Sequence, residues 1–273
     1  MINKILIPTD FSDVANNALK YALELASKSK ASVTLLHIRQ IPLSDPSFPA
    51  ETFQMYLNEI ETFEKEQSEK LTETLLKPSG IPFEFCSATG FVGDEVVRIT
   101  HEKNIDLIVM GTTGASGIAE LLVGSNAASV IGKSDIPVLV VPPGKFYQPI
   151  THILYATDFN EPEFPAFSRL MFFAELYDAK LSIVHVKGEF DQFFNAANNF
   201  FKRNKENITR DYTLTTVDGK NVMEAIDEKV DELHADLLVM AKHNRSFFDR
   251  LFHRSLSKRM AYHTKIPLLV LHK

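Results

Sequence analysis

The sequence predicts two α/β domains, each a five-stranded parallel sheet with helices on both faces. Short apolar, β-branched runs alternate with longer amphipathic stretches, the pattern of a parallel sheet covered by helices. That pattern is also written twice. Residues 4–12 (KILIPTDFS) recur as 152–160 (HILYATDFN), and 31–38 (ASVTLLHI) as 179–186 (AKLSIVHV), both 148 positions on. Toward each end, 106–110 (DLIVM) recurs as 236–240 (DLLVM) and 136–141 (IPVLVV) as 266–271 (IPLLVL), now 130 positions on.

In the first half the expected strands are 4–8, 32–38, 82–88, 106–110 and 137–141, and their near-continuous apolar character suits strands buried on both faces. Helices fit between them at 13–28, 51–77, 93–103 and 125–133. Ser12 or Asp13 can cap the first, whose Ala18, Leu19, Ala22, Leu25 and Ala26 keep helical spacing. The second carries seven Glu against three Lys, which reads as a solvated outer face. Pro142, Pro143 and Gly144 close a first domain of residues 1–144, and Pro149 precedes a second of 150–273. There the strands are expected near 152–156, 180–186, 211–217, 236–240 and 267–271. Phe193, Phe194, Phe200 and Phe201 form a stripe that reads as core or interface.

A length of 273 residues with 45% hydrophobic content suits two domains with a core each. The single cysteine, Cys86, excludes an internal disulfide framework and fits a reducing compartment. It lies in an apolar run with Phe83 and Phe85 and reads as an inert core thiol. No basic-then-apolar leader opens the chain, and no apolar stretch reaches the ~18 residues of a membrane span. The expectation is a cytoplasmic protein with no membrane partner. The net charge of −6 argues against a nucleic-acid partner. Residues 1–145 hold 12 Lys+Arg against 18 Asp+Glu, whereas the rest hold 17 of each.

The chemistry concentrates where strand 106–110 runs out. Met110 is followed by Gly111-x2-Gly114-x9-Gly124-Ser125-Asn126. The glycines let the backbone turn and approach a ligand closely. Ser125 reads as the N-cap of helix 125–133, whose free first-turn amides and dipole make an anion site. In open parallel sheets ligands bind at the carboxyl ends of strands. This loop lies at such an end, as does Pro8-Thr9-Asp10 after the first strand. Strands one and four would then be neighbours, with Asp10 facing the loop. For a nucleotide, amides and hydroxyls of Gly111, Gly114, Gly124, Ser125 and Asn126 would take the phosphates. Asp10 would accept from ribose or base, and Pro8 and Ile38 would pack on the base. No Lys or Arg precedes Lys133 in the loop, so triphosphate charge would rest on backbone dipoles, with Mg²⁺ as an added partner.

These segments together resemble the universal stress protein (UspA-like) family in its tandem form, over essentially the whole chain. The carriers are Ile7-Pro8-Thr9-Asp10-Phe11-Ser12, Leu35-Leu36-His37-Ile38, and the spaced glycine loop. The resemblance implies Rossmann-like (adenine nucleotide alpha hydrolase-like) sheets and an ATP-binding protein with a regulatory, stress-response role. ATP would be held by the first-strand Asp, the second-strand end and the glycine loop. The second half keeps Asp158, His185 and Ser255 but has Ala241, Asn244 and Arg254 in place of the glycines, so ATP is expected in the first half only.

Other motifs point elsewhere or nowhere. No Gly-x4-Gly-Lys-Ser/Thr loop is present, and Gly90-x2-Gly93 reads as a turn before a helix. His37 and His185 read as satisfied, half-buried histidines. The segment 241–265 carries Lys242, Arg245, Arg250, Arg254, Lys258, Arg259 and Lys265 against Asp249 alone, which reads first as a solvated surface, with an anion or an acidic partner as the alternative. His243, His253 and His263 do not match a zinc spacing, so no metal site is assigned. Asp10 is the only acid in the matched ligand segments, and no catalytic residue is assigned. A module that binds no nucleotide and a slow ATPase remain the alternatives. The fifth strands, Pro137–Val141 and Pro267–Leu271, are expected to pair within one chain, because short apolar edges associate. The Phe stripes at 193–201 and 247–252 could add to that interface or draw two chains into a homodimer.

Overall fold

The repeated aspartates at 106 and 236 make the same staple twice. The computed structural model describes residues 1–40, 50–112, 124–144, 147–157, 164–187, 201–202, 208–218, 222–242 and 265–272. In it, Asp106 Oδ2 accepts the N–H groups of Asn3 (2.7 Å) and Lys4 (3.0 Å). Asp236 Oδ2 likewise accepts from Thr151 (2.8 Å) and His152 (3.0 Å). Each carboxylate thus joins the start of a fourth strand to the start of a first. Both fourth strands begin one residue later than expected, at Leu107 and Leu237.

The strands of the first half are β1 (Lys4–Thr9), β2 (Ser32–Arg39), β3 (Phe83–Thr89), β4 (Leu107–Gly111) and β5 (Val138–Val141). Those of the second are β6 (His152–Ala156), β7 (Lys180–Lys187), β8 (Tyr212–Asp218), β9 (Leu237–Ala241) and β10 (Leu268–Leu271). They form one ten-stranded sheet in the order β3-β2-β1-β4-β5-β10-β9-β6-β7-β8. Every pairing is parallel except the central one, where β5 and β10 run antiparallel with Leu139 opposite Leu269. The expected pairing of the fifth strands is therefore present. The palindromic order relates the halves by a pseudo-twofold axis through that junction.

Helices cover both faces. On one side lie α1 (Asp13–Ser29), α2 (Ala50–Leu71) and α6 (Phe164–Tyr177); on the other lie α4 (Val92–Lys103), α5 (Ser125–Lys133) and α7 (Val222–Leu233). Each face has a core that runs through both halves: Ile5, Leu25, Tyr155 and Phe167 belong to one, and Leu6, Ile131, Leu238 and Val270 to the other. None of the described helices is long and apolar enough to cross a membrane.

Four expectations need correction. The long helix is not continuous: α2 passes through a π-helical turn (Thr72–Leu76) into the short α3 (Lys77–Ser79). Nor is its charge all solvated, since Glu64 is 3% exposed and paired with Arg39 from the end of β2. The third strands are not buried on both faces, because β3 and β8 are the outer edges of the sheet and have a neighbour on one side only. Phe83 and Phe85 are accordingly 36% exposed. Cys86 is half-buried rather than deep, and burial raises its thiol pKa, which keeps it protonated and unreactive. The Phe stripe lies outside the described residues except for Phe201, which stacks on Tyr212 with ring centres 4.6 Å apart.

At the junction, residues of the second half reach the first. Lys242 Nζ donates to the carbonyls of Ile131 (2.8 Å) and Gly132 (2.7 Å), and His272 Nε2 donates to that of Ile131 (3.1 Å). Arg169 donates to the His272 carbonyl. Replacing Leu139 and Leu269 together by Asp would bury two charges face to face in the central pair. We expect a loss of at least about 4 kcal/mol in urea unfolding and separation of the halves by small-angle scattering; unchanged stability and shape would contradict the structure.

Burial lowers the His272 imidazole to about 4; the Ile131 carbonyl and Asp135 oppose the shift, and the Lys242 and Arg169 cations assist it. The folded form is neutral where the unfolded chain would take a proton. Its contribution is therefore whole above pH 6.5 and is lost as the pH falls toward 4, by up to about 3 kcal/mol. His272→Gln retains an amide donor without titrating. The difference in unfolding free energy between pH 7 and pH 4.5 should be smaller in that variant; parallel declines would refute the assignment.

Candidate functional site

The sequence Thr9-Asp10-Phe11-Ser12 builds a tight turn where β1 ends. Thr9 Oγ1 accepts from the Phe11 N–H (3.0 Å), and Asp10 Oδ1 accepts from the Ser12 N–H (3.1 Å). Ser12 then caps α1, its Oγ accepting from Ala15 N–H at 3.2 Å. Phe11 is left with φ of 63°, a left-handed conformation that is uncommon for a bulky residue. Its ring packs on His37 at 4.7 Å and meets the edge of Phe63 at 6.0 Å, contacts that offset the strain. His37 Nδ1 donates to the Thr9 carbonyl (2.9 Å), and His185 Nδ1 does the same to Thr157 (3.0 Å). Both histidines are thus satisfied ties between a first and a second strand, as expected.

Strand parity sorts the predicted ligand residues. Leu6, Leu36 and Ile108 share the core beneath α4 and α5. Because side chains alternate faces, Pro8, Ile38 and Met110 point to that same side, each two residues nearer its strand's carboxyl end. Pro8 and Met110 are buried and Ile38 is half-buried. Together they make an apolar floor, with Asp10 partly exposed at its lip.

The opposite wall is the start of α5. Gly124 donates its N–H to the Thr112 carbonyl (2.5 Å), and Thr112 donates its own to Val141 (3.0 Å). These bonds pin both ends of the loop at the mouth of β4. Gly124, not Ser125, is the N-cap: its backbone is extended (φ −64°, ψ 161°), and its carbonyl accepts from Ala128. Ser125 is the first helical residue and, with Asn126, is exposed. A glycine cap has no side chain to accept a helical N–H. The amides of Ser125, Asn126 and Ala127 therefore have neither an intrahelical acceptor nor an N-cap side chain to receive them. The contrast with α1, whose end is closed by Ser12, is direct. Gly114 lies outside the described residues, as do Asp158, Asn244, Arg254 and Ser255 of the second half.

Gly111 also has a packing reason. A Cβ there would stand 2.7 Å from Val14 Cγ1 and 3.3 Å from the Val14 carbonyl carbon. Its glycine thus permits α1 to pack onto β4. The Gly90-x2-Gly93 pair divides similarly: Gly90 has φ of 151°, and a Cβ at Gly93 would meet Ser129 Oγ at 2.1 Å between α4 and α5.

Two features escaped the sequence. Thr112, 1% exposed, ties the loop, and the only cue is its place between the motif glycines. Arg39, beside Ile38, is held by Glu61 and the buried Glu64; nothing in the charge pattern of α2 singles out Glu64. Among the described residues no cluster of three or more metal-ligating side chains occurs.

Known proteins resemble this chain in sequence and in fold. The model of the universal stress protein family matches residues 1–142 and again 149–272. Two universal stress proteins of Methanocaldococcus jannaschii are 33% identical over 141 residues and 36% identical over 160. Each alignment covers 52% of this chain, and 82% and 95% of the respective relative. A solved universal stress protein from Archaeoglobus fulgidus superposes with a TM-score of 0.71 at 22% identity, covering 99% of this chain and 96% of that one.

Gly111→Ala tests the packing role. The added methyl should cost about 1–3 kcal/mol in thermal or urea unfolding, and Val14→Ala in the same chain should recover much of it. Strictly additive losses from the two substitutions would show that position 111 is not a packing contact.

Proposed function

The chain belongs to the universal stress protein family, and from that premise we propose that its first half binds ATP and signals by occupancy rather than turnover, as a cytoplasmic stress-response regulator. The observation that carries the reading is the N-terminus of α5, capped by a glycine without a side chain, at the same strand ends as the Pro8, Ile38 and Met110 floor. Phosphates would sit on the first-turn amides of Ser125 and Asn126, with Gly124, Gly114 and the loop backbone around them. Asp10 would accept from a ribose hydroxyl, and the base would lie on the apolar floor. Residues 111–132 contain no Lys or Arg, so Mg²⁺ travelling with the nucleotide would offset its charge. The second half lacks the three glycines and is read as empty of nucleotide.

A second reading is an interaction module that binds no nucleotide. It is favoured by the open outer edges β3 and β8, where Phe83 and Phe85 are 36% exposed and Leu214 is 39% exposed. Mass spectrometry of ligand released from denatured, freshly purified protein separates the two. We expect adenine nucleotide at one equivalent per chain, and one ATP site in titration calorimetry. Gly124→Arg, which places the second half's residue in the loop, should abolish that binding while circular dichroism stays unchanged. Two equivalent sites per chain, or full affinity in the variant, would defeat the proposal.

A further inference from the structure

Helix α5 is held at its far end by the other half of the molecule. It has nine residues, so its C-terminus lies about 13 Å from the loop. The last carbonyls of a helix have no partners within it. Here Val130 is satisfied locally by the Ser134 N–H (2.8 Å), but Ile131 and Gly132 receive Lys242 Nζ at 2.8 and 2.7 Å. Ser134 lies at the limit, 3.5 Å from the same nitrogen, and His272 Nε2 adds a second donor to Ile131 at 3.1 Å. The helix's own last-turn cation, Lys133, is turned to Asp94 at 2.6 Å. The cation on the negative pole of α5 is therefore supplied by the second half.

The place of Lys242 in the repeat adds to this. It stands 130 positions after Thr112, the residue that opens the glycine loop. Their backbones make equivalent bonds: Thr112 N–H to Val141 (3.0 Å) and Lys242 N–H to Leu271 (2.7 Å). The antiparallel junction of β5 and β10 turns that position toward α5 of the first half. We propose that Lys242 is a positioning residue for the ATP site: it fixes α5 from behind and neutralises its negative pole, so that the open amides at the front meet the phosphates in place. The inference rests on the ATP reading given above. It accounts for a phosphate loop with no basic residue of its own, the positive charge being applied through the helix. It also gives the rewritten second loop a use in the first half's site.

The test is titration of the full chain with ATP, inorganic tripolyphosphate and adenosine. Lys242→Met keeps the aliphatic stem and removes the charge and the donors. It should weaken ATP and tripolyphosphate about tenfold and change adenosine less than about twofold, because only the phosphates face the helix amides. Lys242→Arg should restore most of the affinity, and Lys265→Met, which removes a surface partner of Asp231, should change nothing. ATP affinity in Lys242→Met within about twofold of the parent overturns the proposal, as does an equal loss for adenosine, which would mean general loosening. A parent that binds neither ATP nor tripolyphosphate overturns this inference and the ATP reading together; a parent that binds with Lys242→Met unaffected overturns this one alone. Hydrogen exchange on the parent needs no substitution: ATP should slow exchange at 130–134 and at Lys242. Unchanged exchange at 130–134 would overturn the proposal even if Lys242→Met failed to fold.

Discussion

The antiparallel pairing of Val138–Val141 with Leu268–Leu271 is the constraint on which the remaining structure depends. Each half is a parallel sheet whose fifth strand has a neighbour on one side only. Three registered pairs, Val138 with Val270, Leu139 with Leu269 and Val140 with Leu268, satisfy that side in a region where no residue is more than 2% exposed. Left open there, the backbone groups would be desolvated without partners, each costing a few kcal/mol. The pairing also makes the two helix layers continuous across the molecule. In doing so it sets the end of β9 and the tail after β10 against the last turn of α5.

Much of this was legible because the chain repeats itself. Two copies of one alternating pattern define the strand set, and the short apolar fifth strands identify the meeting edge. Pro8 and Ile38 were legible as apolar contacts at strand ends, but that Met110 shares their face follows only from the registered pairing of β1, β2 and β4. What was not legible depends on partners far apart in the chain. Glu64 looks like any other acid on a charged helix until Arg39, 25 residues earlier, is brought over it. Lys242 looks like the first member of a basic loop until the fold places it on a carbonyl 111 residues away. The cap of α5 differs from its sequence assignment by one residue. Gly124-Ser125 offers two candidates, and only the carbonyl that receives Ala128 decides between them.

The glycines show why a motif cannot be read as a single physical instruction. Gly111 and Gly93 exist because another element lies within van der Waals reach of where a Cβ would be. Gly124 instead begins a helix without a capping side chain, so the first-turn N–H groups have no acceptor from the N-cap. The first kind supports packing, and through it the angle at which α1 and α5 approach the sheet. The second leaves the start of α5 uncapped by a side chain. Both kinds must be right for the same crevice, because the floor is positioned by packing and the wall by the bare cap.

The pseudo-twofold axis has a consequence for how such a molecule diversifies. When two identical chains meet about a true dyad, every change in the gene appears on both sides of the junction. A lysine that contacts the neighbour's helix would then stand, in both copies, at the opening of its own loop. With both copies in one polypeptide that coupling is broken: position 112 can stay threonine while position 242 becomes lysine. Duplication within the chain thus lets one copy change at a position the other keeps, while both keep the junction they share.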